Sequence, residues 1–200
     1  MLISDYIVST EGILHTKDVA VITHDIIRDL EQFIVSACNE QGIDLSKRCV
    51  LIGANESTAD SIVESHPDSL YEVFADGKVV ARVTNNTVKC EFTGVREVML
   101  PIDASCLFSY FCCDAVKMIK SLKFTSVNSQ LTCNMYRMFY MANVDEVDMS
   151  GISLVSVSNI EEMFTGCTIK NVDNVKMQIP ERYSCYDFIA GSPVKNFVWH

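Results

Sequence analysis

The chain has 200 residues, 48% of them apolar and 21% charged, a balance typical of globular proteins with room for one sizeable core or two small ones. Its formal net charge of −10 divides into 7 basic and 15 acidic side chains over 1–94, and 9 and 11 over 95–200. With no basic run, such a chain repels phosphate, which argues against nucleic-acid or anionic-membrane partners.

The opening residues lack a basic leader, and no later stretch approaches the ~18 apolar residues of a membrane span. Nine cysteines without an export signal predict free thiols in a reducing compartment. The expectation is a cytoplasmic protein, or a virion component if the chain is virus-encoded.

Residues 1–94 read as a mixed α/β domain. "YIVSTEGILH" predicts a short hairpin turning near Gly12. Thr23 is placed to cap a helix whose apolar positions Ile26, Ile27, Leu30, Phe33, Ile34 and Ala37 recur at helical spacing, and Gly42 ends it. "RCVLIGA" reads as a buried strand, and "STADSIVESH" as a short helix capped by Ser57. The runs "LYEVFA", "KVVARVT" and "TVKCEF", joined by Asp76-Gly77 and Asn85-Asn86, predict a three-stranded meander. No linker composition precedes residue 95.

Residues 95–200 repeat. "MFTGCTIKNV" from Met163 is echoed by "FIAGSPVKNF" from Phe188. An apolar tetrad recurs at Val95–Val98, Val116–Ile119, Val144–Val147, Ile169–Val172 and Val194–Phe197. Ahead of the last four stand the pairs Tyr110-Phe111, Met138-Phe139, Met163-Phe164 and Phe188-Ile189, with Leu107, Met135, Ile160 or Cys185 three residues earlier. That i, i+3, i+4 spacing predicts short helices alternating with short strands, in coils that bury their apolar faces only by stacking. The inward strand row would be Val98, Ile119, Val147, Val172 and Phe197. The fold class expected is therefore α+β: the mixed domain with its meander, then a solenoid of four to five helix–strand coils.

"NIEEMFTGCTIKNVDNV" and "NMYRMFYMANVDEVDMS" resemble the BspA-like branch of leucine-rich repeats. Asn134, Met138, Phe139, Ala142, Val144, Val147, Asp148 and Ser150 match one unit. Asn159, Met163, Phe164, Cys167, Ile169, Val172 and Asp173 match the next, with Val175 in place of its serine. The resemblance implies a right-handed solenoid used for binding proteins or for display, often on bacterial surfaces. The short array without leader or anchor suits a cytosolic or viral version better.

Sequence motifs for chemistry are sparse. The cysteines, at 38, 49, 90, 106, 112, 113, 133, 167 and 185, form no C-x-x-C pair, so no metal site is expected. His15, His24, His66 and His200 are scattered. "LIGANEST" has one glycine and no Lys-Ser/Thr, and reads as a strand-to-helix turn rather than a phosphate loop. No catalytic residue and no cofactor are assigned.

The function expected is a non-enzymatic interaction module with a protein partner. It would present the outward strand rows, especially Met118, Lys120, Glu146, Asp148, Asn171 and Asp173. A structural subunit of a larger assembly, such as a phage particle, is the alternative. Phe197 and Trp199 of the last coil would then make the homo-oligomeric or higher-order contacts. An enzyme with a cleft in the first domain, lined by His24, His66 or a cysteine, is the third reading.

Overall fold

The computed structural model describes residues 18–85, 87–115 and 118–169, and the backbone alone of 8–9, 12–13 and 175–176. Strands β1 (Val8–Ser9) and β2 (Gly12–Ile13) pair antiparallel as the expected hairpin. After β3 (Val19–Val21) comes α1 (His24–Gln41), built as its caps foretell. The Thr23 hydroxyl accepts the Ile26 N–H, and Gly42, at φ 65°, returns its own N–H to Cys38 O. Its apolar stripe from Ile26 to Ala37 is buried.

A 3-10 turn at Leu45–Lys47 leads into β4 (Cys49–Asn55). The next helix, α2 (Ala59–Glu64), is capped by Thr58 rather than Ser57. The Thr58 hydroxyl accepts the Ser61 N–H at 3.3 Å, while the Ser57 N–H is donated to the Asn55 side-chain oxygen at 2.9 Å in the turn before the helix. The meander follows as β5 (Tyr71–Phe74), β6 (Val79–Val83) and β7 (Thr87–Thr93), antiparallel throughout. The remaining strands are short: β8 (Glu97–Met99), β9 (Ser121–Thr125), β10 (Val127–Asn128), β11 (Val147–Asp148) and β12 (Val175–Lys176).

Apart from the β1–β2 hairpin, two sheets organise the strands. The larger runs β12-β11-β9-β4-β7-β6-β5, parallel from β12 to β7, and takes strands from both sides of residue 94. A smaller parallel sheet runs β10-β8-β3. The buried face of α1 packs with Val50, Ile52, Val79, Ala81, Cys90 and Phe92 of the large sheet, and the same core continues into Phe108, Phe139 and Phe164. Within the large sheet, β9 passes so close to β4 that a Cβ on Gly53 would overlap the Thr125 hydroxyl and carbonyl.

The solenoid of helix–strand coils is not what the second half forms. Among the described residues the only α-helices are α1 and α2. Where short helices were expected, residues 104–115, 135–142 and 160–167 run as successive tight turns. Met138, Tyr140 and Ala142 each donate to the carbonyl three residues back. The alternate N–H groups leave their own segment: Met135, Arg137, Phe139 and Met141 donate to Asn159, Glu161, Met163 and Thr165. Cys106, Phe108 and Tyr110 likewise donate to Tyr136, Met138 and Tyr140.

Positive φ recurs four residues apart at Cys106 and Tyr110, Arg137 and Met141, and Glu162 and Gly166, with a further instance at Cys112, a sign no α-helix allows. Each of these is the third residue of a four-residue turn closed by an i→i+3 bond, where such turns admit positive φ. A turn chain of this kind buries i, i+3, i+4 and i+7 as a helix does: Met135, Met138, Phe139 and Ala142 are all buried. The apolar spacing is therefore the same for both conformations.

The expected inward row is corrected too. Ile119 bridges Val144, and Val147 pairs with Leu122 and Val175, so Ile119 and Val147 are not partners. Sixteen residues separate Asp103 from Ile119 in the first layer, but ten separate the equivalent Asn134 from Val144. That six-residue excess let the tetrad match slip by three: the unit aligned with Val144–Val147 is Ile119–Leu122, 25 residues earlier. Val98 pairs with Val127 in the other sheet. Val172 and Phe197 lie outside the described residues.

The three layers are held in register by two columns. Asp103, Asn134 and Asn159 are bridged in parallel, and each side chain accepts the backbone N–H two residues on. The rings of Phe108, Phe139 and Phe164 stack at 5.3 and 5.2 Å between centroids, with interplanar angles of 14° and 2°. Phe139 is the middle ring and is fully buried. Phe139→Ala is expected to cost about 3–5 kcal/mol in a denaturant titration. A loss below about 1 kcal/mol would show that the ring stack does not hold the layers. Gly53→Ala is expected to cost about 1–3 kcal/mol, because the Thr125 backbone carbonyl must yield as well as its hydroxyl.

Candidate functional site

In each layer two buried residues alternate with two outward ones, so stacking lines the outward pairs into columns. Tyr136 and Arg137 of the second layer lie beside Ser105 and Cys106 of the first and Glu161 and Glu162 of the third. One unit further on, Tyr140 and Met141 lie beside Ser109 and Tyr110, and beside Thr165 and Gly166. The resulting ridge is rich in aromatic rings. Tyr110 meets Tyr140 edge to face at 5.5 Å. The Arg137 guanidinium lies 5.0 Å from the Tyr136 ring centre and 4.8 Å from that of Tyr140, and is anchored to Glu162 at 2.7 Å. Tyr110 is 51% exposed and Met141 42%. Met141 crosses the position a Cβ on Gly166 would fill, so the glycine gives that side chain its resting place.

Tyr110 also belongs to a groove of about 520 Å³ beside α1. One wall is the helix stripe from Arg28 through Glu31, Val35 and Ser36 to Glu40, and the other is Tyr110, Cys113 and Asp114. These last residues belong to the first layer, whose connection is six residues longer than that of the second. Glu31 fastens the two walls together by accepting the Cys112 N–H. Burial raises the Glu31 carboxyl above its ordinary value of 4.5, the Cys112 hydrogen bond opposes the rise, and Asp114 adds to it.

The strand-row residues expected from sequence are distributed differently. Lys120 is exposed and ion-paired with Asp145 at 2.6 Å, a bond that raises its pKa. Asp148 accepts the Ser150 N–H at 3.2 Å and pairs in register with Lys123. Glu146 gives its carbonyl to the Leu122 N–H, and Met118 is half-buried. The structure therefore brings Lys120, Glu146 and Asp148 to neighbouring strands. Asn171, Asp173, Phe197 and Trp199 lie outside the described residues.

The histidines considered for catalysis are hydrogen-bonded within the chain. His24 Nε2 bonds Ser105 O at 3.0 Å, and His66 Nδ1 bonds Ile62 O and the Ser65 hydroxyl at 2.9 Å. Burial pushes the thiols of Cys38, Cys90, Cys112 and Cys113 upward, which disfavours the nucleophilic thiolate. No group of three or more His, Cys, Asp or Glu residues poised for a metal occurs among the described residues, and no helix there is long and apolar enough to cross a membrane. The polar cluster Arg82–Glu91–Asn55 satisfies itself through bonds of 2.6 and 2.9 Å to the two Glu91 oxygens.

Sequence reasoning missed Glu31, Tyr110, Tyr136, Arg137, Tyr140 and Met141 as site residues. Tyr110 stands in the pair Tyr110-Phe111 that the helical spacing placed inward, but its ring faces outward while Phe108 and Phe111 are buried. No protein-family model, curated protein or solved structure matches the chain, so the site rests on its own geometry.

Because the folded pKa of Glu31 is raised, its contribution to stability is complete below the unfolded carboxyl range near 4.5 and is lost as pH rises through the folded value. Glu31→Gln retains an oxygen for the Cys112 N–H and is expected to abolish that loss. Denaturant titrations from pH 4 to pH 8 (roughly spanning the carboxyl range) should show the variant gaining on the wild type as pH rises. Parallel curves would contradict this environment for Glu31.

Proposed function

We propose that the protein is a non-enzymatic interaction module that binds a protein partner through the ridge of Tyr110, Tyr136, Arg137, Tyr140 and Met141. The observation that carries this reading is the ridge itself, with Tyr, Arg and Met presented outward on a framework of stacked backbone. These residue types are enriched in interfaces, and Tyr and Arg anchor most energetic hot spots. The ridge side chains are already positioned by one another, by Glu162 and by the Gly166 gap, which lowers the ordering cost of binding. The strand row from Lys120 to Asp148 fits less well as a hot spot, because it is short, charged and partly committed to ion pairing within the chain.

Tyr140→Ala combined with Arg137→Ala is expected to weaken partner binding by about tenfold or more while preserving the circular dichroism spectrum. Cross-linking from the native source, with wild type and variant side by side, reads the outcome. Loss of one specific partner supports the ridge. An unchanged profile overturns it, as does a partner lost only on charge reversal at Glu146 and Asp148.

A further inference from the structure

The groove beside α1 has an occupant defined by its chemistry. It follows the helix from Arg28 to Glu40, about 18 Å at 1.5 Å per residue, which matches five or six residues of extended chain. Val35 is its one aliphatic side chain, with Gln32, Ser36 and Asn39 between the charged positions, so it offers no continuous aliphatic stripe to the apolar face of a helix. Three carboxylates line it: Glu31, Glu40 and Asp114. Its cation, Arg28, is drawn to two acids outside the lining, Asp25 at 2.8 Å and Asp29 at 3.6 Å. At the groove's end Tyr110 spends one contact on Tyr140 and leaves half of its surface open, close to Asp114 in the chain.

The molecule already shows what such a pairing accepts. In the second layer, Arg137 lies over the rings of Tyr136 and Tyr140, with the Glu162 carboxylate bonded to its guanidinium. Tyr110 with Asp114 offers the same two components, an aromatic ring and a carboxylate, without a described guanidinium between them.

Resting on the protein-binding reading above, we infer that this groove receives an extended, arginine-bearing segment of the partner, with one guanidinium on the Tyr110 ring and its neighbours facing Glu40 and Asp114. Arginine fits better than lysine, because the planar, weakly hydrated guanidinium both stacks on a ring and bonds a carboxylate in two places. Nucleic acid is disfavoured by the same carboxylates.

The test uses the full chain and a fluorescent decapeptide carrying three arginines, with its lysine and glutamate counterparts, in fluorescence anisotropy at about 0.15 M salt. The arginine peptide is expected to bind more tightly than the lysine peptide, and the glutamate peptide not at all. Tyr110→Ala should weaken the arginine peptide by about two- to fivefold while Tyr110→Phe retains it. Asp114→Asn and Glu40→Gln should each weaken it, whereas Glu72→Gln and Asp60→Asn, equal in charge change but outside the groove lining, should not. Absence of arginine-peptide binding overturns the inference. Equal losses in groove and remote variants overturn it too, because the effect is then bulk acidity. A partner captured through Tyr140 that ignores Tyr110, Glu40 and Asp114 leaves the ridge standing and removes the groove assignment.

Discussion

The second half of this protein depends on a division of backbone hydrogen bonds. In the first two turn segments one set of N–H groups closes turns within the segment and the alternate set reaches the carbonyls of the next layer. A single layer would leave that second set unpaired inside a core, at a cost of about 1–3 kcal/mol for each group. No layer is complete without a neighbour. The same pairing fixes where side chains fall, since it brings Phe108, Phe139 and Phe164 into one stack and Asp103, Asn134 and Asn159 into one column. It also explains how Cys106, Tyr110, Arg137, Met141 and Glu162 hold a left-handed backbone that costs a non-glycine residue roughly 1–2 kcal/mol. Bonds on both sides leave them no alternative.

This division also limited what the sequence could disclose. Helix α1 was legible because its signals are local: the cap at Thr23, the stop at Gly42 and the stripe between them. The meander was legible for the same reason, in its alternation and turn residues. The turn segments were not, because Met135, Met138, Phe139 and Ala142 carry the spacing of a helix face while the property that separates helix from turn, the sign of φ, leaves almost no compositional trace. Only Gly166 stands at such a position with the residue type that it favours. The register error has a different origin. The extra six residues of the first layer shifted the apparent tetrad onto Val116–Ile119, whereas Ile119–Leu122 is the unit that pairs with Val144–Val147.

The site was harder still to read. Tyr110, Tyr136 and Tyr140 are separated by 26 and 4 residues, and nothing in the chain shows that the first should touch the last. Their meeting follows from the layer register, which depends on the turn conformation. Glu31 and Asp114 are 83 residues apart and meet across the groove because the longer first layer reaches α1. Residues chosen from the strand rows relied on the assumption that a repeat displays its function on its most regular surface.

The geometry supports the opposite expectation. The regular parts of the stack, the phenylalanine column and the asparagine column, are buried or bonded to themselves and have little left to offer a partner. The irregular parts differ. Cys113 and Asp114, from the stretch by which the first layer exceeds the second, join Tyr110 in one wall of the groove, and the third layer's glycine leaves the space that Met141 occupies. Tyr110 lies where both irregularities meet, held in the ladder by its N–H to Tyr140 at 2.7 Å while its ring stays open to solvent. A backbone position that rigid, carrying an aromatic ring that exposed, meets both requirements of an interface anchor: little freedom to lose and much surface to bury.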